Sequence, residues 1–292
     1  MVEKFLTYLS DEMNRSPRTV ESYSDDLRSF EEFFKGLDHQ LSWDSVDADV
    51  IRDWMECMME KGNSASSVAR RLSALHSFFR FLLKRNLVKR DPSHGILAPK
   101  QARPLPQFVK ESEMNRLIDD VEWGTDFESV RARTIIIAFY ETGMRVSELT
   151  GLNDAQVDFI NMQLRVTGKG NKQRIIPFGD ELFKALQHYQ QERDKNIPRI
   201  SEAFFVTDEG DRMNYQQVRK IVQRCLGQVT TLKKRSPHVL RHSFATAMLN
   251  HNADIESVKR LLGHESVSTT EIYTHTTFEQ LKRVYNDAHP RA

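Results

Sequence analysis

Four prolines within residues 92–106 (Pro92, Pro99, Pro104 and Pro106) constrain the fold of this chain more than any other feature. Proline fixes φ, lacks a backbone N–H and pushes its predecessor out of the helical region. The surrounding stretch, DPSHGILAPKQARPLPQFV, has little periodicity and reads as an interdomain linker. At 292 residues the chain is long enough for a domain on each side. The boundaries expected are 1–97 for an N-terminal unit, 98–107 for the linker and 108–292 for a second unit.

The first unit reads as all-helical. Ser16-Pro17 is a helix start, and Val20, Tyr23, Leu27, Phe30, Phe33 and Phe34 recur at helical spacing after it. A second helix is expected over about 46–60, ending before Gly62-Asn63. A third starts after Ser64, with Val68, Leu72, Leu75, Phe78, Phe79 and Leu82 on its apolar stripe. Its other face carries Ser67, Arg70, Arg71 and Ser73, hydroxyls and guanidiniums of the kind that contact phosphate. An ordinary amphipathic helix would show the same spacing.

The second unit is mixed. Helices are expected near 112–121, 133–140, 181–195, 215–229, 237–250, 255–262 and 278–287, with Gly143 as a left-handed cap. Between them, Gln163–Val166 and Arg174–Pro177 flank Gly168-Lys169-Gly170-Asn171. That pattern is a β-hairpin with Lys169 at its tip. The fold class is therefore mainly α, a helical domain plus an α+β domain with a small hairpin or sheet.

The net charge of +1 hides an asymmetry. Residues 1–60 hold 6 basic against 15 acidic side chains, and residues 61–103 hold 10 basic against Asp91 alone. A local positive field suits a polyanion regardless of the total, though a solvated helix face beside an acidic neighbour would look alike. Other classes are not supported. No apolar run reaches the length of a membrane span, and the first residues lack the pattern of a signal peptide. Cys57 and Cys225 lie far apart and read as reduced thiols, which points to the cytoplasm. No zinc spacing, calcium loop or Walker glycine loop occurs, so neither metal nor nucleotide cofactor is expected.

Six residues remain as candidates for chemistry: Arg145, Lys169, His238, Arg241, His264 and Tyr273. Ser236 and Pro237 predict a helix start, which puts His238 and Arg241 on one face of a first turn whose N–H groups favour anions. Taken singly, each has a plain alternative: Arg145 pairs with Glu148, His238 is a surface histidine, His264 ends a helix, Tyr273 is core. Together, two arginines, two histidines and a lysine would make a phosphate pocket beside a phenol.

The joint pattern resembles the tyrosine recombinase (phage integrase) family. Its motifs are met by Arg145 in TGMRVSEL, Lys169 in TGKGNKQR, His238 and Arg241 in HVLR, His264 in LGH, and Tyr273 nine residues on. The resemblance covers nearly the whole chain and is strongest to the Xer type. The end, FEQLKRVYNDAHPRA, is similar to the ends of Xer proteins, its VYNDAHPRA portion to the C subclass more than the D subclass. It implies a SAM-like core-binding domain and a catalytic domain that clamp a duplex, with Ser67, Arg70, Arg71 and Ser73 on DNA. The arm-binding domain of many phage integrases is not expected. It also implies strand cleavage through a 3′-phosphotyrosine on Tyr273, without metal or ATP, by a homo- or hetero-tetramer on paired double-stranded sites. The cellular role implied is resolution of chromosome dimers. Integration of a mobile element, a relaxing topoisomerase and a non-catalytic DNA binder on the same fold are the alternatives. The C-terminal helix implied would dock into a neighbouring subunit through Leu281, Val284 and Tyr285; an intramolecular stripe fits the spacing equally.

Overall fold

The computed structural model describes residues 1–101, 107–168, 171–263 and 275–292, the last segment by backbone alone over 275–277. The chain divides into two compact units, Met1–Pro104 and Leu105–Ala292.

The first unit is helical. Helix α1 (Val2–Thr7) runs into a π-helical turn, Tyr8–Glu12, and is followed by α2 (Pro17–Leu37), α3 (Ala48–Glu60) and α4 (Ala65–Lys84). Each of the last three starts where a side chain accepts an orphan N–H: Ser16 from Thr19, Asp47 from Asp49 and Val50, Ser64 from Ser67. The Asp47 cap explains why α3 begins later than the apolar pattern suggests. The expected α4 stripe is core, while Val20, Tyr23 and Phe33 of the α2 stripe are only partly buried at its margin. Leu27, Phe30 and Phe34 of α2 meet Val68, Leu72, Leu75, Phe78, Phe79 and Leu82 of α4, all buried, around Phe5, Trp43 and Trp54. Trp43 sits edge-on to Phe78 with ring centroids 4.6 Å apart.

In the second unit, α5 (Glu111–Asn115) passes into another π-helical turn, Arg116–Asp120. Helix α6 (Phe127–Thr142) follows, then a short helix α7 (Val146–Thr150). Strands β1 (Val157–Asp158), β2 (Gln163–Thr167) and β3 (Gln173–Pro177) form an antiparallel sheet in that order. The hairpin of β2 and β3 pairs Leu164 with Ile176 and Thr167 with Gln173. Strand β1 and the short helices α1 and α7 are elements that the pattern did not announce, each being too short to show its period. Helices α8 (Asp180–Asn196), α9 (Tyr215–Leu226), α10 (Pro237–Asn250), α11 (Ile255–Leu262) and α12 (His275–Ala288) complete the unit.

Helix α6 is buried along nearly its full length and packs against α8, α9 and α10. It ends at Gly143 with φ +58°, the left-handed cap expected. A Cβ there would lie 2.5 Å from Cδ1 of Phe244 and 2.8 Å from Cδ2 of Leu262. Glycine is thus required twice, for the backbone turn and for the close approach of α10 and α11.

Leu281 and Tyr285 of α12 are buried within the same chain, against Phe244, Met248, Leu261 and Leu262, with Val284 packed on the edge. Of the two readings open for this stripe, the intramolecular one describes the single chain. The Tyr285 hydroxyl donates to Oε2 of the fully buried Glu141 at 3.1 Å, and the Gly179 N–H donates to the same oxygen at 3.2 Å. Burial pushes the Glu141 carboxyl up to about 8 from an ordinary 4.5, and pushes the neighbouring buried His289 down to about 4 from 6.5.

The signs of these two shifts differ. The Glu141 contribution to stability is fully present below pH 4.5 and is lost as pH rises through about 8. The His289 contribution is present above pH 6.5 and is lost as pH falls through about 4. Between pH 6.5 and 8 Glu141 acts without opposition from His289. Urea unfolding of wild type and Glu141→Gln across that window is expected to show the wild-type advantage shrinking with pH, by up to about 1.4 kcal/mol per unit for one proton. A difference that stays flat would mean that Glu141 ionises normally.

Candidate active site

Helix α6 delivers Gly143, and the turn after it delivers Arg145 as the residue preceding α7. Glu148, at the third position of α7, reaches back to accept the Arg145 N–H through Oε2 at 2.6 Å, while its Oε1 accepts Nη1 of Arg145 at 2.8 Å. The pair expected from the sequence exists, and it is part of the site rather than an alternative to it. Nη2 of Arg145 donates to the Gly263 carbonyl at 2.9 Å.

Arg241 comes from the first turns of α10. Its Nη1 donates to the Gly143 carbonyl and its Nη2 to the Leu262 carbonyl, both at 2.6 Å. Arg145 and Arg241 therefore hang from the carbonyls of adjacent residues, Gly263 and Leu262, at the end of α11. Those carbonyls are orphans of a helix C-terminus, and the negative end of the dipole adds to their pull on cations. Burial, then the proximity of Arg145 and Arg174, brings the Arg241 guanidinium down to about 10, with Glu148 opposing. It stays charged at neutral pH.

His238 occupies the second position of α10, after Pro237, with its ring partly open to solvent and partly covered. Ser236 holds the cap position but its side chain makes no capping hydrogen bond, so the expected cap is one of backbone conformation only. Partial burial, followed by Arg241, His242 and Arg145, holds the His238 imidazole below its usual value. A neutral ring at neutral pH can accept a proton.

Arg174 was missed as a site residue by reading the sequence. It lies in β3 in phase with the buried Ile176, and that inward arginine in an apolar register was the available signal. Its Nη1 and Nη2 both donate to Glu148, Nη2 to Oε2 at 2.9 Å, and its Nε donates to the Leu261 carbonyl at 3.0 Å. Two arginines, Arg145 and Arg174, thus pair with one fully buried carboxylate, and the charge of Arg241 lies close enough to feel it.

Lys169, His264 and Tyr273 lie outside the described residues. The residues preceding the first two are at the site. A Cβ on Gly168 would stand 3.2 Å from Oε1 of Glu148 and 3.8 Å from Nη1 of Arg145. Gly263, at φ +65°, abuts Arg174 and accepts from Arg145.

These residues make a cationic anion site with a neutral base beside it, in a helical unit with a small sheet. Profiles of the phage integrase family match residues 107–280, and that family's N-terminal SAM-like domain matches residues 2–86. The chain belongs to the phage integrase family. It is a tyrosine recombinase, a site-specific recombinase acting on DNA. The tyrosine recombinase XerC of Chlorobaculum tepidum is 38% identical, over 99% of this chain and 94% of that protein. The tyrosine recombinase XerD of Oceanobacillus iheyensis is 35% identical, over 100% and 98%. The recombinase fold is that of XerH bound to palindromic difH substrate, TM-score 0.71 at 23% identity over 97% of this chain and 83% of that one. The Tn1549 transposon integrase in complex with circular intermediate DNA has the same fold, TM-score 0.71 at 18% identity over 96% and 98%. No helix among the described residues is long and apolar enough to cross a membrane.

The four α4 residues read as DNA contacts in this recombinase are placed less uniformly than their spacing suggests. Arg70 is half-exposed and forks onto the buried Asp26, Nη2 to Oδ1 at 2.7 Å, with Nη1 also donating to Ser22 at 2.8 Å. Arg71 is turned inward, 3.7 Å from Asp26 and bonded to Sδ of Met58. Ser73 donates to the Ala69 carbonyl, and Ser67 shares its hydroxyl with Ser64. The outermost line of α4 is Ser66, Arg70, Ser73, Arg80 and Lys84.

Lying off the apolar stripe does not make Arg70 and Arg71 dispensable to the fold, because together they neutralise a buried carboxylate. Replacing both with alanine is expected to lower stability by about 2 kcal/mol, discounted for the exposure of Arg70. Denaturant unfolding of the double variant checks this, and an unchanged midpoint would mean that Asp26 needs neither.

Proposed function

We propose that this recombinase is a Xer-type enzyme that resolves chromosome dimers, acting as a homo- or hetero-tetramer on paired double-stranded sites. The observation that carries the chemical reading is the suspension of Arg145 and Arg241 from adjacent carbonyls immediately before His264. The two guanidiniums clamp the non-bridging oxygens of the scissile phosphate and stabilise the charge that develops there. The Tyr273 oxygen attacks phosphorus as its proton passes to His238. The bond from phosphorus to the 5′-oxygen breaks, and Lys169 supplies that oxygen with a proton. His264 donates a hydrogen bond to the phosphate. The products are a 3′-phosphotyrosine and a free 5′-hydroxyl, which conserves the bond energy for rejoining. A 5′-hydroxyl from the partner duplex then attacks the phosphotyrosine.

Ser67, Arg70, Arg71 and Ser73 are the candidates for duplex contact in the N-terminal unit, and the exposed Arg80 and Lys84 extend their line. Arg80→Ala with Lys84→Ala avoids the Asp26 pair. This double variant is expected to weaken duplex binding and to reduce its salt slope by up to about two phosphate equivalents. An unchanged slope would take α4 off the DNA.

The cellular role is tested by recovering the DNA that the chain occupies in its own cells. One chromosomal locus, present whether or not a mobile element is resident, supports dimer resolution. Occupancy confined to the ends of an element would replace that role with integration.

A further inference from the structure

We infer that Arg174 is a positioning residue for the cleavage step, the link that sets Arg145 and the start of the His264 segment at the same time. The inference rests on the recombinase reading above. The side chain is almost wholly buried, 6% exposed, and three of its donor directions are spent inside the protein. Two go to the two oxygens of Glu148 and one to the Leu261 carbonyl. Glu148 in turn holds the backbone N–H and the guanidinium of Arg145. Arg174 also packs 3.1 Å from where a Gly263 Cβ would stand, so the left-handed turn leading to His264 is seated on it.

The carbonyls of Leu261, Leu262 and Gly263 go to Arg174, Arg241 and Arg145 respectively. Two of these arginines are the candidate phosphate clamp. The third is turned onto Glu148 and fixes the frame from which the other two hang. The charges also fit. Three guanidiniums less one carboxylate leave two net positive charges, matching the roughly two negative charges of a phosphodiester under attack by a phenolate. Lysine at 174 would keep that sum. It cannot hold both carboxylate oxygens and a helix carbonyl in one plane.

The test uses the full chain and a nicked suicide DNA that traps the covalent adduct, with Arg174→Lys as the variant. Single-turnover adduct formation is measured on a normal scissile phosphate and on a neutral methylphosphonate at the same position. DNA affinity is expected to stay within about threefold, because the phosphate contacts along the duplex are untouched. The rate on the phosphodiester is expected to fall at least ~30-fold, approaching the loss of an oxyanion donor. On the methylphosphonate, which develops less charge, the penalty should shrink below about fivefold. Glu148→Gln should show the same substrate dependence, and the double variant should be little worse than the poorer single one.

If Arg174→Lys does not fold, Gly263→Ala crowds the same guanidinium without changing charge, and the same pattern is expected from it. Equal penalties on both substrates, or a rate within about threefold of wild type, would reduce Arg174 to a structural ion pair. Wild-type protein that forms no adduct at all would instead remove the recombinase reading, and this inference with it.

Discussion

Tyr273→Phe is expected to abolish covalent attachment to DNA while leaving duplex affinity within about twofold of wild type, since the phosphate contacts that dominate affinity are unchanged. Only the phenolic oxygen is removed. The guanidinium clamp hung from the Leu262 and Gly263 carbonyls does not depend on it. The measurement is denaturing electrophoresis of labelled suicide substrate after incubation with each protein. An adduct that persists in the variant would assign the nucleophile elsewhere. Absence of an adduct in wild type as well would favour the non-catalytic DNA binder, the alternative that shares this fold.

The second large effect concerns the clamp. Arg145→Ala and Arg241→Ala are each expected to slow single-turnover cleavage at least ~100-fold, in line with losing a preorganised donor to developing charge. The two should differ in stability. Arg241 is 8% exposed, and its removal strands the buried carbonyls of Gly143 and Leu262, which costs about 1–3 kcal/mol. Arg145 is about a third exposed, so its loss should be felt mainly in rate. Thermal unfolding measured beside the kinetics separates the two effects. Cleavage within a few-fold of wild type for either variant would make that arginine structural.

Much of this architecture was legible because it rests on local rules. Ser16, Ser64 and Gly143 mark helix ends through side-chain caps and a left-handed turn, and both depend on neighbours in sequence. The apolar stripe of α4 and the inner part of that of α2 became the core of the first unit for the same reason. The clamp was legible only in part. Arg145, His238 and Arg241 could be named from motifs, but the two arginines are anchored on main-chain carbonyls, which carry no residue signature. Arg174 is 26 residues from Glu148 and 87 from Leu261, so its role exists only in the folded chain. Asp26 was overlooked for a similar reason. An acidic residue in an acidic stretch looks solvated until α4 brings Arg70 onto it.

The carbonyls that close α11 carry a consequence for how such a protein can vary. Side chains along the exposed faces of α11 can be exchanged without touching the three arginines, because what the arginines grip is peptide backbone. A single inserted or deleted residue inside α11 is another matter. It rotates the helix end by about 100° and slides it by about 1.5 Å. The carbonyls of Leu261, Leu262 and Gly263 would then leave all three guanidiniums at once. Helix α11 should tolerate substitution freely at its surface and length change not at all.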